Sequence, residues 1–217
     1  MFNPANHLGV GLYSIVEAAR LLKTPPRTLR RWVNGYVDEL RGGERTYAPV
    51  IATDENPVLS FGDLIELRYV RKFRDAKVEL EAIRLAAAKF REEWDTPYPF
   101  ATRRFANDGR SLLVDLGGEW QDALSGQHMA FFEELNAENI YTEDLTSEWR
   151  PLGTAHKVLL SPERAFGKPI EEISGAHTHV LSLAMATEQD LGKVAWWFGT
   201  TSEAVADAAR FEADLAA

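Results

Sequence analysis

The sequence contains no cysteine among its 217 residues. Disulfide bridges, thiolate metal sites and cysteine nucleophiles are therefore excluded, and this composition fits a reducing cytoplasm. The N-terminus does not combine a basic start with a long apolar run, which argues against a signal peptide. No apolar run approaches the roughly 20 residues of a membrane helix. We therefore expect a cytoplasmic protein with no membrane partner.

Motifs for catalysis or metal binding are also lacking. His177 and His179 lie two residues apart, but no nearby acidic pair completes a tetrahedral metal site. Gly117 and Gly118 lack the spacing and the lysine of a phosphate-binding loop, and Ser125 has no nucleophile-elbow pattern. We predict that the protein is not an enzyme and that it needs no metal and no cofactor.

Acidic charge is in excess but unevenly distributed. The net charge is −9, yet residues 1–95 contain 15 Lys and Arg against 14 Asp and Glu, while residues 96–217 contain 9 against 19. A protein of this kind can still bind DNA if its cations are concentrated. The acidic half repels phosphate, so it either faces away from a duplex or meets a basic partner. Five cations occur within residues 20–31 without any acid: Arg20, Lys23, Arg27, Arg30 and Arg31.

Two short helices joined by a tight turn are predicted between Tyr13 and Tyr36. Ser14 and Glu17 have capping-box spacing, which predicts the start of the first helix. Thr24 is the predicted N-cap of the second, with Pro25 at its first position and Gly35 as its stop. Each helix has apolar residues at i, i+3, i+4 and i+7, which share one face: Ile15, Ala18, Ala19 and Leu22, then Leu29, Trp32, Val33 and Tyr36.

The second helix carries a basic face opposite its apolar stripe, and a helix-turn-helix places such a helix in the major groove. Arginine can pair with guanine and asparagine with adenine, whereas Lys23 and Thr28 are better placed for phosphates. The alternative is a solvated basic face on an ordinary helix pair. We predict the following DNA contacts: Lys23, Arg27, Thr28, Arg30, Arg31 and Asn34.

The remaining pattern predicts a mainly α fold with a small β component. A hairpin wing is expected from strands near 47–51 and 58–60 across a turn at 54–57, and 95–100 is expected to be a linker because it holds two prolines in six residues. A strand is predicted at 111–116 with a partner at 120–124, residues 127–135 fit either a helix or a strand, and a short strand follows at 157–160. The predicted helices are 61–75, 78–94, 178–187, 190–198 and 202–215.

The sequence pattern predicts that the chain is divided into three segments. Residues 1–95 are predicted to form a winged helix-turn-helix DNA-binding domain. Residues 96–156 form a β-containing middle segment. Residues 157–217 form a three-helix, helix-turn-helix-like unit that serves as an interaction domain.

Residues 13–32 resemble the opening of MerR-like winged-helix domains. The resemblance starts with Tyr-Ser-Ile-Val-Glu-Ala-Ala-Arg-Leu-Leu-Lys-Thr and continues to Arg-Thr-Leu-Arg-Arg-Trp. In that family a hairpin wing and two further helices follow, as the sequence from Leu59 onward also suggests. The similarity covers roughly residues 12–94 and implies an operator-binding regulator. The metal-binding or drug-binding C-terminal parts of MerR regulators are not recognisable here.

Residues 157–212 resemble a different family, the small antitoxin domain of VapB-type partners of PIN-like ribonuclease toxins. The stretch Leu159–Ile170 (Leu-Leu-Ser-Pro-Glu-Arg-Ala-Phe-Gly-Lys-Pro-Ile) is similar to the start of that domain. The family's usual Gly-Thr-Arg-Ile-Pro-Thr is shortened to Gly-Ala-His-Thr at 175–178. The later positions that match are Gly175, Thr178, Val194, Ala195, Phe198, Thr201, Val205 and Ala208.

The last predicted helix carries four acids against Arg210 alone, so a phosphate backbone would repel it. We interpret this unit as an interaction or dimerisation module, the alternative being a folding unit with no partner. The adjacent Trp196 and Trp197 cannot both point directly into one core. Either one of them is an exposed interface anchor or both lie in a broad buried stripe.

Together the two resemblances imply the antitoxin of a type II toxin-antitoxin system. It would neutralise a cognate PIN-like ribonuclease toxin and repress its own operon as a homodimer on palindromic operator DNA. The toxin contact is expected somewhere in residues 97–217, at residues that the sequence does not identify. The alternatives are a MerR-like transcriptional regulator that responds to a small molecule, and an interaction scaffold.

Overall fold

The structure, a computed structural model, describes residues 11–40, 43–51, 58–117 and 135–216. Within these ranges it is mainly helical with small antiparallel two-stranded sheets, which confirms the predicted fold class. The helices are α1 (Ile15–Leu21), α2 (Pro26–Asn34), α3 (Phe61–Asp75), α4 (Leu80–Trp94), α5 (Arg103–Asp115), α6 (Thr178–Glu188), α7 (Leu191–Phe198) and α8 (Ser202–Ala216). The strands are β1 (Gly11–Ser14), β2 (Tyr36–Leu40), β3 (Gly43–Tyr47), β4 (Val58–Ser60), β5 (Asn139–Thr142), β6 (Leu145–Trp149), β7 (Val158–Leu159) and β8 (Ile170–Glu171).

The hairpin that follows α2 is not the one predicted. Strand β2 begins directly after α2 and pairs with β3, so that Tyr36 lies opposite Tyr47 and their rings stack at 4.5 Å. Strand β4 instead pairs with β1, at the start of the chain. The predicted pairing of 47–51 with 58–60 is therefore wrong, because only Tyr47 of the first run lies in a strand, and that strand pairs with β2. Its predicted turn at 54–57 lies outside the described residues.

The main core is built around α3, which starts at a capping box. The Ser60 hydroxyl accepts a hydrogen bond from the Asp63 amide at 3.0 Å, and the Asp63 carboxylate accepts one from the Ser60 amide at 2.8 Å. Aromatic rings fill the space beside α3, with Phe73 and Phe100 in an edge-on contact at 5.3 Å. Phe100 is completely buried, so the proline-rich stretch 95–100 is packed against the core rather than being a free linker.

The predicted strand at 111–116 is wrong, because most of this segment belongs to α5. The Thr102 hydroxyl caps that helix by accepting a hydrogen bond from the Phe105 amide at 3.0 Å. Its buried residues, Phe105, Gly109 and Leu113, follow a helical period that begins before the window that suggested a strand. The predicted partner at 120–124 lies outside the described residues, as does most of 127–135.

The C-terminal end forms the predicted three-helix unit. Helices α6, α7 and α8 enclose a small separate core of Leu181, Val194, Ala195, Val205 and Ala208. Local signals define these helices: the Asp190 carboxylate caps α7 by accepting a hydrogen bond from the Lys193 amide, and Gly199 ends α7 in a left-handed conformation.

The predicted strand at 157–160 is confirmed as β7. The boundaries at 95 and 156 stay predictions, since the core around α3 also includes Trp149 and Leu160.

Candidate nucleic-acid interface

The turn between α1 and α2 has the compact geometry of a helix-turn-helix. The predicted capping box between Ser14 and Glu17 is present at the start of α1. Lys23 adopts a left-handed conformation with a φ of 47°, and the Thr24 amide donates a hydrogen bond to the Ala19 carbonyl at 2.9 Å. Together these features reverse the chain within three residues after α1.

Thr24 is not the N-cap of α2, contrary to the sequence-based prediction. Its hydroxyl donates a hydrogen bond to the Leu22 carbonyl at 3.0 Å, while Pro25 occupies the N-cap position and Pro26 the first helical position. Two consecutive prolines explain the shift. A residue that precedes proline disfavours the helical region, so Pro25 stays extended and α2 begins at Pro26.

Helix α2 buries the predicted apolar stripe of Leu29, Trp32 and Val33. The Trp32 carbonyl also accepts a hydrogen bond from the Val50 amide at 2.8 Å, which fixes the helix against the segment after β3. The opposite face of α2 is therefore held in a defined orientation toward solvent, as DNA reading requires.

The six predicted contact residues differ in their availability. Thr28 is half-buried, whereas four residues are exposed and their side chains form no hydrogen bond or ion pair within the part of the chain that the structure describes: Lys23, Arg27, Arg30 and Asn34. Arg31 is engaged, because its guanidinium lies 3.3 Å from the Asp38 carboxylate and 3.5 Å from the centre of the Tyr36 ring. The role of each residue in DNA contact stays a prediction.

The hairpin β2–β3 supports α2 more than it adds positive charge. Asp38 on β2 lies opposite Arg45 on β3, and Glu39 lies opposite Glu44. Gly35 joins the hairpin to α2 with a φ of +68°, and a Cβ atom at this position would lie 2.3 Å from the Tyr47 carbonyl oxygen. Only glycine fits here, so the helix and the hairpin are tightly coupled.

Helix α1 is fastened to the C-terminal segment by contacts at both of its ends. Arg20 pairs with Glu212 of α8 at 2.6 Å, and Lys168 pairs with Glu17. The buried Tyr13 hydroxyl donates a hydrogen bond to the Gly167 carbonyl at 2.6 Å, and burial raises the pKa of Tyr13. The basic patch predicted at 20–31 is thereby reduced, since Arg20 is committed to an internal ion pair.

A cavity of about 380 Å³ lies at this junction between α1 and the C-terminal segment. The rings of His177 and His179 line it, with their centroids 5.6 Å apart.

Among the described residues, no group of three or more His, Asp or Glu side chains is placed to hold a metal ion. In the same ranges, no helix combines the length and apolarity needed to cross a bilayer.

Comparison with known proteins supports the N-terminal assignment. Residues 11–87 match the family model described as "putative DNA-binding HTH domain". The chain is 29% identical over 111 residues to the uncharacterized protein Rv2308 of Mycobacterium tuberculosis. The aligned region covers 50% of this chain and 45% of that protein, so it spans less than half of the relative's length. The crystal structure of Rv2018 from Mycobacterium tuberculosis has the same fold, with a TM-score of 0.70 and 22% identity over 92% of this chain and 97% of that chain.

The N-terminal part of the chain is thus a helix-turn-helix domain of a DNA-binding type, as the sequence predicted. Such a domain is typical of a transcription regulator. The exposed side of α2 is its candidate nucleic-acid interface.

Proposed function

We propose that this protein is the antitoxin of a type II toxin-antitoxin system. It binds operator DNA as a homodimer, represses its own operon and neutralises a PIN-like ribonuclease without catalysing a reaction itself. The observation that carries this proposal is the separation of charge. Arg27 and Arg30 are exposed on α2 and their side chains have no partner among the described residues, while the C-terminal three-helix unit is acidic and has the VapB-like sequence pattern.

The DNA-binding half of the proposal rests on three exposed cations, Lys23, Arg27 and Arg30. Arg27 and Arg30 lie one helical turn apart on α2, which lets both reach the same major-groove site. Lys23 lies in the turn before α2, where it can contact the phosphate backbone. Arg31 can join them only by leaving Asp38, so its contribution to affinity is expected to be smaller.

The toxin-binding half rests on the acidic C-terminal unit. The RNA-binding face of a ribonuclease is commonly basic, and an acidic partner complements it electrostatically. Helix α8 supplies exposed Glu203 and Asp214. A phosphate backbone would be repelled by the same charges, so the proposal gives the acidic unit and the exposed side of α2 different partners.

The test is co-expression of the full chain with the product of the adjacent reading frame. We expect rescue of growth and a co-purifying complex, together with specific binding to the DNA upstream of the pair. Absence of both the complex and the rescue would reject the antitoxin assignment.

The DNA arm of this test uses single substitutions on α2. Arg27→Ala and Arg30→Ala should each weaken operator binding by about 1–3 kcal/mol, or roughly 5- to 150-fold, in a mobility-shift titration. Arg110→Ala is the matched control, because Arg110 is also an exposed arginine on a helix but lies on α5. Operator affinity that is equal for all three variants would reject α2 as the reading helix.

A second candidate function is a regulator that senses a small molecule, and the cavity beside α1 favours it. Its volume lies within the range of small-molecule sites, and it adjoins the first helix of the DNA-binding domain. A transporter or enzyme gene as neighbour, with a compound that shifts operator affinity, would support this function over the antitoxin.

A further inference from the structure

We infer that the exposed face of α6 and α7, formed by Leu183, Trp196 and Trp197, is the docking surface for a basic ribonuclease partner. This inference rests on the proposed antitoxin function and assigns the contact to particular residues. We call this face the tryptophan surface.

The tryptophan surface exposes apolar groups that a folded protein ordinarily buries. Trp196 is 80% exposed, Leu183 69% and Trp197 47%. The interpretation that both tryptophans lie in a buried stripe is therefore wrong. Indole side chains are enriched among the few residues that dominate interface energetics, and their exposure here leaves a large apolar area available to a partner.

Helix phase explains why these side chains point outward. Val194 and Ala195 of α7 are buried in the small core. Trp196, two positions after Val194, points away from that core, while Trp197 lies at the flank of the helix and is partly exposed. On α6, Leu181 is buried while Leu183 is directed away from the core. Their exposure results from the packing of the unit itself rather than from a frayed terminus.

Acidic residues predominate in the three-helix unit that carries this apolar face. Asp190 caps the start of α7 and Glu203 lies in the first turn of α8, and both are exposed. At the face itself, Lys193 forms an ion pair with Glu188, and its ammonium lies 4.9 Å from the centre of the Trp197 ring. An apolar patch within a charged surface is the usual anatomy of a specific interface.

The net negative charge of this three-helix unit selects the occupant. A basic ribonuclease would place opposite charges against Asp190 and Glu203, whereas a second copy of this acidic unit would bring like charges together. Dimerisation through the tryptophan surface is accordingly disfavoured, and the surface is left to a partner of opposite charge.

The experiment measures the affinity of the purified adjacent-frame product for the full chain by isothermal titration calorimetry. Trp196→Ala should raise Kd by roughly 30-fold or more, as expected for an interface hot spot, and Leu183→Ala should also raise it. Leu85→Ala is the matched control, because Leu85 is 66% exposed on α4, outside the proposed surface. Its Kd should equal that of the unmodified chain.

A charge variant tests the contribution of the acidic side chains independently. Glu203→Gln should slow association and flatten its dependence on salt, while leaving the melting temperature unchanged because Glu203 is exposed. A Kd that is unaffected by both Trp196→Ala and Leu183→Ala would overturn the inference while leaving the antitoxin function intact. Conversion of a free homodimer to a monomer by Trp196→Ala, with toxin affinity unchanged, would also overturn it. Failure of the unmodified chain to bind would instead reject the proposed function.

Discussion

Replacement of Gly35 by alanine is expected to uncouple the reading helix from its hairpin. Gly35 has a φ of 68° and a ψ of −171°, a backbone region that is essentially restricted to glycine and costs other residues about 1–3 kcal/mol. The added Cβ would also lie 2.3 Å from the Tyr47 carbonyl oxygen and 3.2 Å from two atoms of the next residues. Relief of this overlap requires a backbone shift of about 1 Å, at a further cost of about 1–3 kcal/mol.

These contributions together predict a loss of about 2–6 kcal/mol in the free energy of unfolding. For a chain of this length each kcal/mol lowers the melting temperature by roughly 2–4 °C, so a fall of about 10 °C is expected. Operator affinity should fall as well, because displacement of Tyr47 to Pro49 also moves Val50, whose amide donates the hydrogen bond that holds Trp32 and orients α2.

Differential scanning calorimetry and a mobility-shift titration would measure the two effects. Gly199→Ala is the control for backbone strain alone, because Gly199 has a φ of +65° but no atom of the described residues lies within 4 Å of its added Cβ. That variant should lose only about 1 kcal/mol. A Gly35→Ala variant that is no less stable than Gly199→Ala would refute the steric argument.

Two further predictions concern buried polar groups. Burial raises the pKa of Glu66 to about 8, so between about pH 4.5 and 8 the folded protein keeps a proton that the unfolded chain has lost, and stability falls with rising pH by up to about 1.4 kcal/mol per unit. Glu66→Gln should remove this dependence of the unfolding free energy on pH, as measured by urea unfolding at pH 5, 6.5 and 8. An unchanged pH dependence would contradict the raised pKa of Glu66. Tyr13→Phe leaves the Gly167 carbonyl without its buried donor and should cost about 1–3 kcal/mol; a variant with unaltered urea midpoint would show that this hydrogen bond contributes nothing.

Elements with local signals were predictable from the sequence. The capping box of Ser14 and Glu17 and the one that begins α3 lie within four residues of chain, and both are present. The C-terminal helices were also predicted nearly to the residue, since their ends depend on the neighbouring Asp190 and Gly199. Such features need no knowledge of the rest of the fold.

Elements and contacts that depend on distant partners were not predictable. Strand β4 pairs with β1, more than forty residues earlier, and its apolar pattern fits a nearer partner equally well. The same limit applies to the candidate site. Nothing in residues 20–31 indicates that Arg20 is committed to Glu212, a residue 192 positions away, or that Asp38 holds Arg31. Which cations of this segment are available to DNA therefore depends on the tertiary structure.

The same ion pairs explain how an acidic chain can present a DNA-binding face. Glu212 is held by Arg20 and accepts a hydrogen bond from the Thr178 hydroxyl. Asp207 lies 2.8 Å from the His156 ring and accepts a hydrogen bond from a backbone amide. Part of the C-terminal negative charge is thus satisfied inside the molecule, which reduces its long-range repulsion of phosphate. Because Arg20 belongs to α1, the contact that neutralises Glu212 also joins the acidic unit to the DNA-binding domain.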